Sequence, residues 1–159
     1  QLRSDPGGRG LTGISMGGYG AAVLALRYPA RYRFAGLIIP ALSVPDSISK
    51  ADSTFAPWAI PTVDTAFGPY PSPHRQNHDP FYLLLHTPPA SLPYFYVSVA
   101  EGDEFPSFVS MSRAWTNVLR TLKAPYEYHE MPGGHNEVTA DAALVPLVRR
   151  WIDLLIAPH

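Results

Sequence analysis

The stretch Gly13-Ile14-Ser15-Met16-Gly17-Gly18 decides the reading of this chain. Apolar Leu11 and Ile14 precede the serine and suit a strand, and the Ala- and Leu-rich run to Tyr28 suits a helix. A serine between two glycines at a strand-to-helix switch follows the pattern G-x-S-x-G. The turn in that pattern is tight enough to strain the serine backbone. Gly13 and Gly17 are expected to remove Cβ atoms that would strike the strand or the helix. The hydroxyl is then presented at the carboxyl end of a sheet, with the amino end of the next helix aimed at the same spot.

Working outward, the elbow strand is expected over Leu11 to Ile14, buried on both faces, and its helix over Met16 to Tyr28. Gly17, Gly18, Gly20, Ala21 and Ala22 offer a smooth face for close packing, and Pro29 stops the helix. Phe34 to Pro40 reads as the next strand, parallel to the first because a helix crosses between them. Tyr94 to Ala100 is rich in aromatic and β-branched residues and reads as a strand ended by Gly102. Ser107 to Lys123 carries Phe108, Met111, Trp115, Val118, Leu119 and Leu122 at helical spacing, a core stripe. Tyr126 to Met131 is a further strand. Thr139 to Ile156 is the last helix, with Leu144, Leu147, Val148, Trp151, Ile152 and Leu155 expected toward the sheet. The order predicts an α/β fold: a parallel sheet between helical layers, in one domain over residues 1–159.

Residues 41–93 are the irregular part, rich in proline and carrying Asp46, Trp58, Phe67, Tyr70, Phe81 and Tyr82. Within them Asp79-Pro80 reads as a helix start, with the helix over Pro80 to Leu85. Such an insertion serves either as a cap over a pocket or as a surface excursion.

Composition removes several function classes. A net charge of −1 leaves no basic surface for nucleic acid. No apolar run reaches the ~20 residues that span a bilayer. The chain has no cysteine, which excludes disulfides, thiolate metal sites and a cysteine nucleophile, and does not fix a compartment. His74 and His78 have ligand-like spacing, but prolines precede them and no HExxH exists. No phosphate-binding glycine motif is present. No metal or other cofactor is therefore expected.

A serine hydroxyl needs a base within hydrogen-bond reach and a third group to orient that base. Asp103, in Glu101-Gly102-Asp103-Glu104, follows the strand ending at Ala100, and His135 follows the next strand on a Pro132-Gly133-Gly134 loop. The order Ser15, Asp103, His135 is the serine–acid–histidine order of α/β-hydrolases. His74, His78, His86, His129 and His159 compete with His135, but only His135 follows both a strand end and a Gly-Gly loop. Glu101 and Glu104 are read as a solvated acidic loop around Asp103, and Asp46, Asp64 and Asp79 come too early in the chain. The backbone N–H of Met16 is the expected oxyanion donor. A second donor normally comes from a loop after an earlier strand; Gly7 or Gly8 is the candidate substitute.

The runs GISMGGYGAAVLALRYPARY, AEGDEF and EYHEMPGGHNE resemble the esterase D/antigen 85-like branch of the α/β-hydrolases, which includes S-formylglutathione hydrolases, feruloyl esterases, carboxylesterases and mycolyltransferases. The resemblance covers most of this chain and about the C-terminal half of that domain. It implies a serine esterase acting on small ester substrates, with Ser15 as nucleophile, Asp103 as acid, His135 as base and the Met16 N–H as oxyanion donor. Acyl transfer on the same scaffold and a non-catalytic hydrolase-like module are the alternatives. Gln1 to Arg9 is polar and the elbow follows almost at once, so the chain reads as a fragment, a processed product or an unusually compact version. Its sheet would then have an uncovered edge, which favours self-association. A homo-oligomer or an N-terminal segment is the expected means of completing the sheet.

Overall fold

The computed structural model describes residues 5–42, 64–69 and 72–156. Asp46, Trp58, Tyr70 and His159 lie outside them. Four strands, β1 (Gly10–Ile14), β2 (Phe34–Ile38), β3 (Tyr94–Ala100) and β4 (Tyr126–Met131), form one sheet in the order β1-β2-β3-β4. All three pairings are parallel, with Thr12 opposite Gly36, Gly36 opposite Tyr96 and Ser98 opposite His129. The helices described in full are α1 (Met16–Arg27), α2 (Pro73–Gln76), α3 (Pro80–His86), α4 (Pro106–Thr121) and α5 (Glu137–Ile156). Parallel neighbours need crossovers, and α1 and α4 provide those from β1 to β2 and from β3 to β4.

The sheet sorts its side chains by the two-residue period of a strand. Ala35, Leu37, Phe95 and Val97 face one layer, where they meet Ala21, Ala22, Ala25 and Leu26 of α1, Leu84 of α3, and Trp115 and Leu119 of α4. Phe34, Ile38, Tyr96 and Ala100 face the other, against Ala140, Ala143 and Leu147 of α5. The alanines let α1 lie close on the sheet, and Gly36 does the same for α5. A Cβ at Gly36 would stand 2.5 Å from Leu147 Cδ1. The middle strands are buried along their length and read as continuous apolar runs, as doubly covered parallel strands do.

Two packing expectations are corrected. The elbow strand was expected to be buried on both faces, but Gly10, Thr12 and Ile14 are exposed and Leu11 and Gly13 only half-buried. The cause is position: among the described residues β1 pairs with β2 alone and is an edge strand. In α5 the buried residues are Thr139, Ala140, Ala143 and Leu147, whereas Leu144, Val148 and Ile152 are 41–48% exposed. The helix carries two adjacent apolar stripes, and the sheet takes the one with alanines because it allows closer approach.

The described part of the irregular region is bound to α1. Asp79 caps α3 by accepting the Phe81 N–H at 2.8 Å, with Pro80 at the first helical position, and the helix runs one residue past the expected Leu85. Leu84 is fully buried, and Phe81 packs edge-on against Trp115. Through Leu84 and Phe81, α3 is thus tied into the core. Ahead of them, buried Arg75 bonds Asp64 at 2.6 Å and the Gly68 carbonyl at 2.9 Å, and the Tyr19 hydroxyl donates to the His78 carbonyl.

Candidate active site

At the carboxyl ends of the strands the chain brings Ser15, Asp103 and His135 together from three loops. Ser15 joins β1 to α1 with φ 55° and ψ −117°, a region that costs a non-glycine residue roughly 1–3 kcal/mol. Backbone bonds on both sides hold it there. Its N–H donates to the Ile38 carbonyl at 2.9 Å, and its carbonyl accepts from Tyr19 and Ala41 at 3.1 Å. The turn is closed by glycines, though not the pair expected. A Cβ on Gly13 would stand 2.2 Å from the Gly17 carbonyl oxygen, and one on Gly18 would stand 2.9 Å from Pro40 Cβ. A Cβ on Gly17 would meet nothing within 4 Å. Gly13 and Gly18 therefore carry the steric requirement.

His135 Nε2 lies 2.9 Å from Ser15 Oγ, and its Nδ1 lies 3.0 Å from Asp103 Oδ2. An ionised carboxylate can only accept, so Nδ1 carries the hydrogen and Nε2 is left to accept from the serine. The Asp103 side chain is 1% exposed. Its second oxygen accepts the Phe105 N–H at 2.8 Å, so both oxygens are occupied. Phe105 and Phe108 set their rings against the imidazole at 5.3 and 5.4 Å and fill the space around it with apolar surface.

Met16 opens α1 next to Ser15, so its N–H has no intrahelical acceptor. The Met16 side chain is half-exposed. Gly7 and Gly8 do not reach this place. They form a short turn before β1, at its amino end, five strand residues away from Ser15. At about 3.3 Å per residue that is roughly 16 Å, which removes them as oxyanion donors. Pro29, Arg33, Pro93, Tyr94 and Pro125 line a hollow of about 530 Å³ at that same far end. Nearer the serine, Ile14, Ile39, Ala140, Glu137, Asp141 and His135 border a smaller hollow of about 240 Å³.

The rival groups are placed elsewhere. His129 stacks on Tyr96 and pairs with Glu127, which also binds Arg150. His86 stacks on Tyr82. His74 and His78 lie together beside Phe67, and Arg27 reaches His78. Among the described residues no three His, Cys, Asp or Glu side chains converge as metal ligands. Glu104 is exposed, as expected of a solvated loop residue, and it also makes a specific contact. Its carboxylate accepts the backbone N–H of His135 at 2.7 Å, and that bond holds its pKa below the usual range. Nothing in the sequence pattern marked this contact, because it joins two loops 31 residues apart. Ile39 was also missed: it takes φ 39° just under the elbow, where its N–H donates to the Ser98 carbonyl.

No helix of the described residues is long and apolar enough to cross a membrane. No curated protein sequence matches the chain significantly. Solved structures do. The fold is similar to S-formylglutathione hydrolase from Staphylococcus aureus at 17% identity and TM-score 0.70, over 97% of this chain and 57% of that one. It is similar to fluorophosphonate-binding serine hydrolase F of the same organism at 20% identity and TM-score 0.74, over 98% and 57%. Inhibited esterase B from Lactobacillus rhamnosis matches at 18% identity and TM-score 0.70, over 91% and 53%. The chain thus spans little more than half the length of these structures. The profile of the family described as Putative esterase matches residues 1–151, nearly the whole chain, and the chain belongs to that esterase family.

Proposed function

We propose that the chain carries the catalytic residues of a serine esterase that hydrolyses carboxylic esters through an acyl-enzyme. The observation that supports this most is the series Ser15 Oγ, His135 Nε2, His135 Nδ1 and Asp103 Oδ2, linked at 2.9 and 3.0 Å. Ser15 Oγ attacks the ester carbonyl carbon while its proton passes to His135 Nε2. The carbonyl oxygen gains the charge and is met by the Met16 N–H and the amino end of α1. His135 then gives its proton to the departing alkoxide as the carbon–oxygen bond breaks, leaving an acyl group on Ser15. A water attacks that acyl group with His135 again as base, and the carboxylic acid leaves as Ser15 recovers its proton. Asp103 holds the imidazole tautomer and stabilises the imidazolium in both halves.

A tetrahedral oxyanion needs more than one donor. Among the described residues β1 has no strand on its outer side, and on this reading the second donor comes from whatever pairs with that edge. Membership of the esterase family and the similarity to esterase B support a carboxylic ester as substrate. The test is hydrolysis of p-nitrophenyl acetate and labelling by a fluorophosphonate. Ser15→Ala should abolish both, and turnover unchanged in that variant would overturn the reading.

A further inference from the structure

The loop that presents His135 is rich in glycine. Pro132, Gly133 and Gly134 precede the histidine, and Gly133 sits at φ 130°, a conformation other residues rarely adopt. The contacts that fix this loop come mainly from the loop carrying Asp103. The Gly102 N–H donates to the Gly133 carbonyl at 2.9 Å, Asp103 binds the imidazole, and Glu104 accepts the His135 backbone N–H at 2.7 Å. Glu104 also stands close over Gly134, where a Cβ would approach Oε1 to 2.8 Å. Adjacent carboxylates thus divide the work: one holds the ring, the other the main chain from which the ring hangs.

We propose that Glu104 is a positioning residue for His135, setting the depth of its loop so that Nε2 reaches Ser15, and adding a second negative charge beside the imidazolium that forms. This rests on the triad reading above. The hydrogen bond is charge-assisted, the stronger kind. The charge effect is smaller because Glu104 is exposed and water screens it. The other groups around His135 are the Ser15 hydroxyl from the elbow, Asp103 from the acid loop, Glu137 and Asp141 of α5 across the hollow they share, and the neutral rings of Phe105 and Phe108. Glu137 and Asp141 are unchanged by substitutions at 104, so a shift seen there belongs to Glu104.

Two variants separate the roles. Glu104→Gln keeps an oxygen that can accept the N–H and removes the charge; Glu104→Ala removes both. In steady-state hydrolysis of p-nitrophenyl acetate, E104A should lower kcat about 10- to 100-fold with KM little changed, the scale of a misplaced catalytic group. E104Q should keep kcat within about threefold, and both should move the acid limb of the kcat/KM profile down by about 0.5 pH unit, the size of a water-screened interaction between neighbouring charges. A ring-nitrogen NMR titration of His135, assigned with His135→Gln, reads the same displacement without turnover. If E104A fails to fold, E104Q still decides through that titration. An unmoved His135 titration in folded E104Q, or wild-type kcat in folded E104A, overturns the proposal. Failure of the triad reading looks different: Ser15→Ala would keep its turnover whatever happens at Glu104.

Discussion

Replacing Gly13 and Gly17 separately by alanine tests whether the elbow is understood as geometry or only as a motif. The pattern G-x-S-x-G treats the two glycines alike. The structure does not. An added Cβ at Gly13 would lie 2.2 Å from the Gly17 carbonyl oxygen, 2.3 Å from its carbon and 2.9 Å from its Cα, all backbone atoms of the first turn of α1. Relief needs a shift of about 1 Å between β1 and α1, because no flexible side chain is there to give way. Overpacking of this kind costs about 3 kcal/mol, toward the upper end of its range, since the obstacle is main chain. In a domain of this size each kcal/mol moves Tm by roughly 2–4 °C, so G13A should melt about 6–12 °C lower. Gly17 has open space at its Cβ position and no positive φ, and alanine is favoured over glycine in a helix by up to about 1 kcal/mol. G17A should therefore melt at or slightly above the wild-type temperature. Gly18, confronted by Pro40 at 2.9 Å and the Gly13 oxygen at 3.1 Å, should fall between them. Thermal unfolding followed by far-UV circular dichroism ranks the three, and fluorophosphonate labelling reports whether Ser15 keeps its conformation. A G13A protein that melts with the wild type and labels normally would refute the argument, as would a G17A protein that loses as much stability as G13A.

Other substitutions probe separate links. Asp103→Asn preserves shape but turns a donor toward Nδ1, so the imidazole adopts the wrong tautomer; kcat should fall about 10³- to 10⁴-fold with the melting temperature little changed, and a kcat within tenfold of wild type would count against Asp103 as the acid. Leu147→Ala, at a fully buried position against Gly36, should cost about 2–5 kcal/mol in denaturant unfolding, whereas Leu144→Ala, 41% exposed, should cost well under about 1 kcal/mol; equal losses would mean that α5 is rotated from the face described. Glu130 is held down to about 2 from 4.5, chiefly by its hydrogen bonds to the Arg113 guanidinium. A carboxylate depressed in the folded state stabilises it above the unfolded pKa, and that contribution disappears as pH falls from about 4.5 toward 2. Glu130→Gln should make the acid melting curve shallower in that window, and a slope unchanged from wild type would show the pair to be without effect.

The parts of this protein that were legible in its sequence are those set by local chemistry. The 3.6-residue spacing in α4, the β-branched and aromatic run of β3, the Asp79-Pro80 start of α3 and the serine between glycines each state their structure within a few neighbouring residues. The meeting of Asp103 and His135 was legible for a related reason: each follows a strand end, and parallel strands deliver all such ends to one rim. What stayed hidden depends on residues distant in sequence. Glu104 reaches His135 across 31 residues, and no local pattern distinguishes it from Glu101, earlier in the same acidic run. Gly17 and Gly18 differ because Pro40, beyond the next strand, and the Gly13 carbonyl oxygen lie over one and not the other.

The face of α5 follows from the same distinction and carries the reasoning about β1 further. Ala140, Ala143 and Leu147 form one stripe; Leu144, Val148 and Ile152 form another, one residue around the helix. Hydrophobicity alone favours the bulkier stripe, yet the sheet holds the smaller one, because Gly36 admits Leu147 and the alanines let the helix axis approach. The bulkier stripe is left exposed on one layer, and Leu24 and Tyr28 of α1 are left exposed on the other, while β1 has no neighbour on its outer side among the described residues. An edge strand with exposed apolar residues on both helical layers can take a further strand, since an edge that stays free is blunted by charge or by a bulge. A strand added there would arrive beside Ser15, where the proposed oxyanion would take a second donor. On that proposal, covering the edge and completing the active site are a single event, so hydrolytic rate should rise when a second copy covers the edge. Sedimentation run beside p-nitrophenyl acetate turnover checks this: turnover per chain that stays constant across a monomer–dimer transition would refute it.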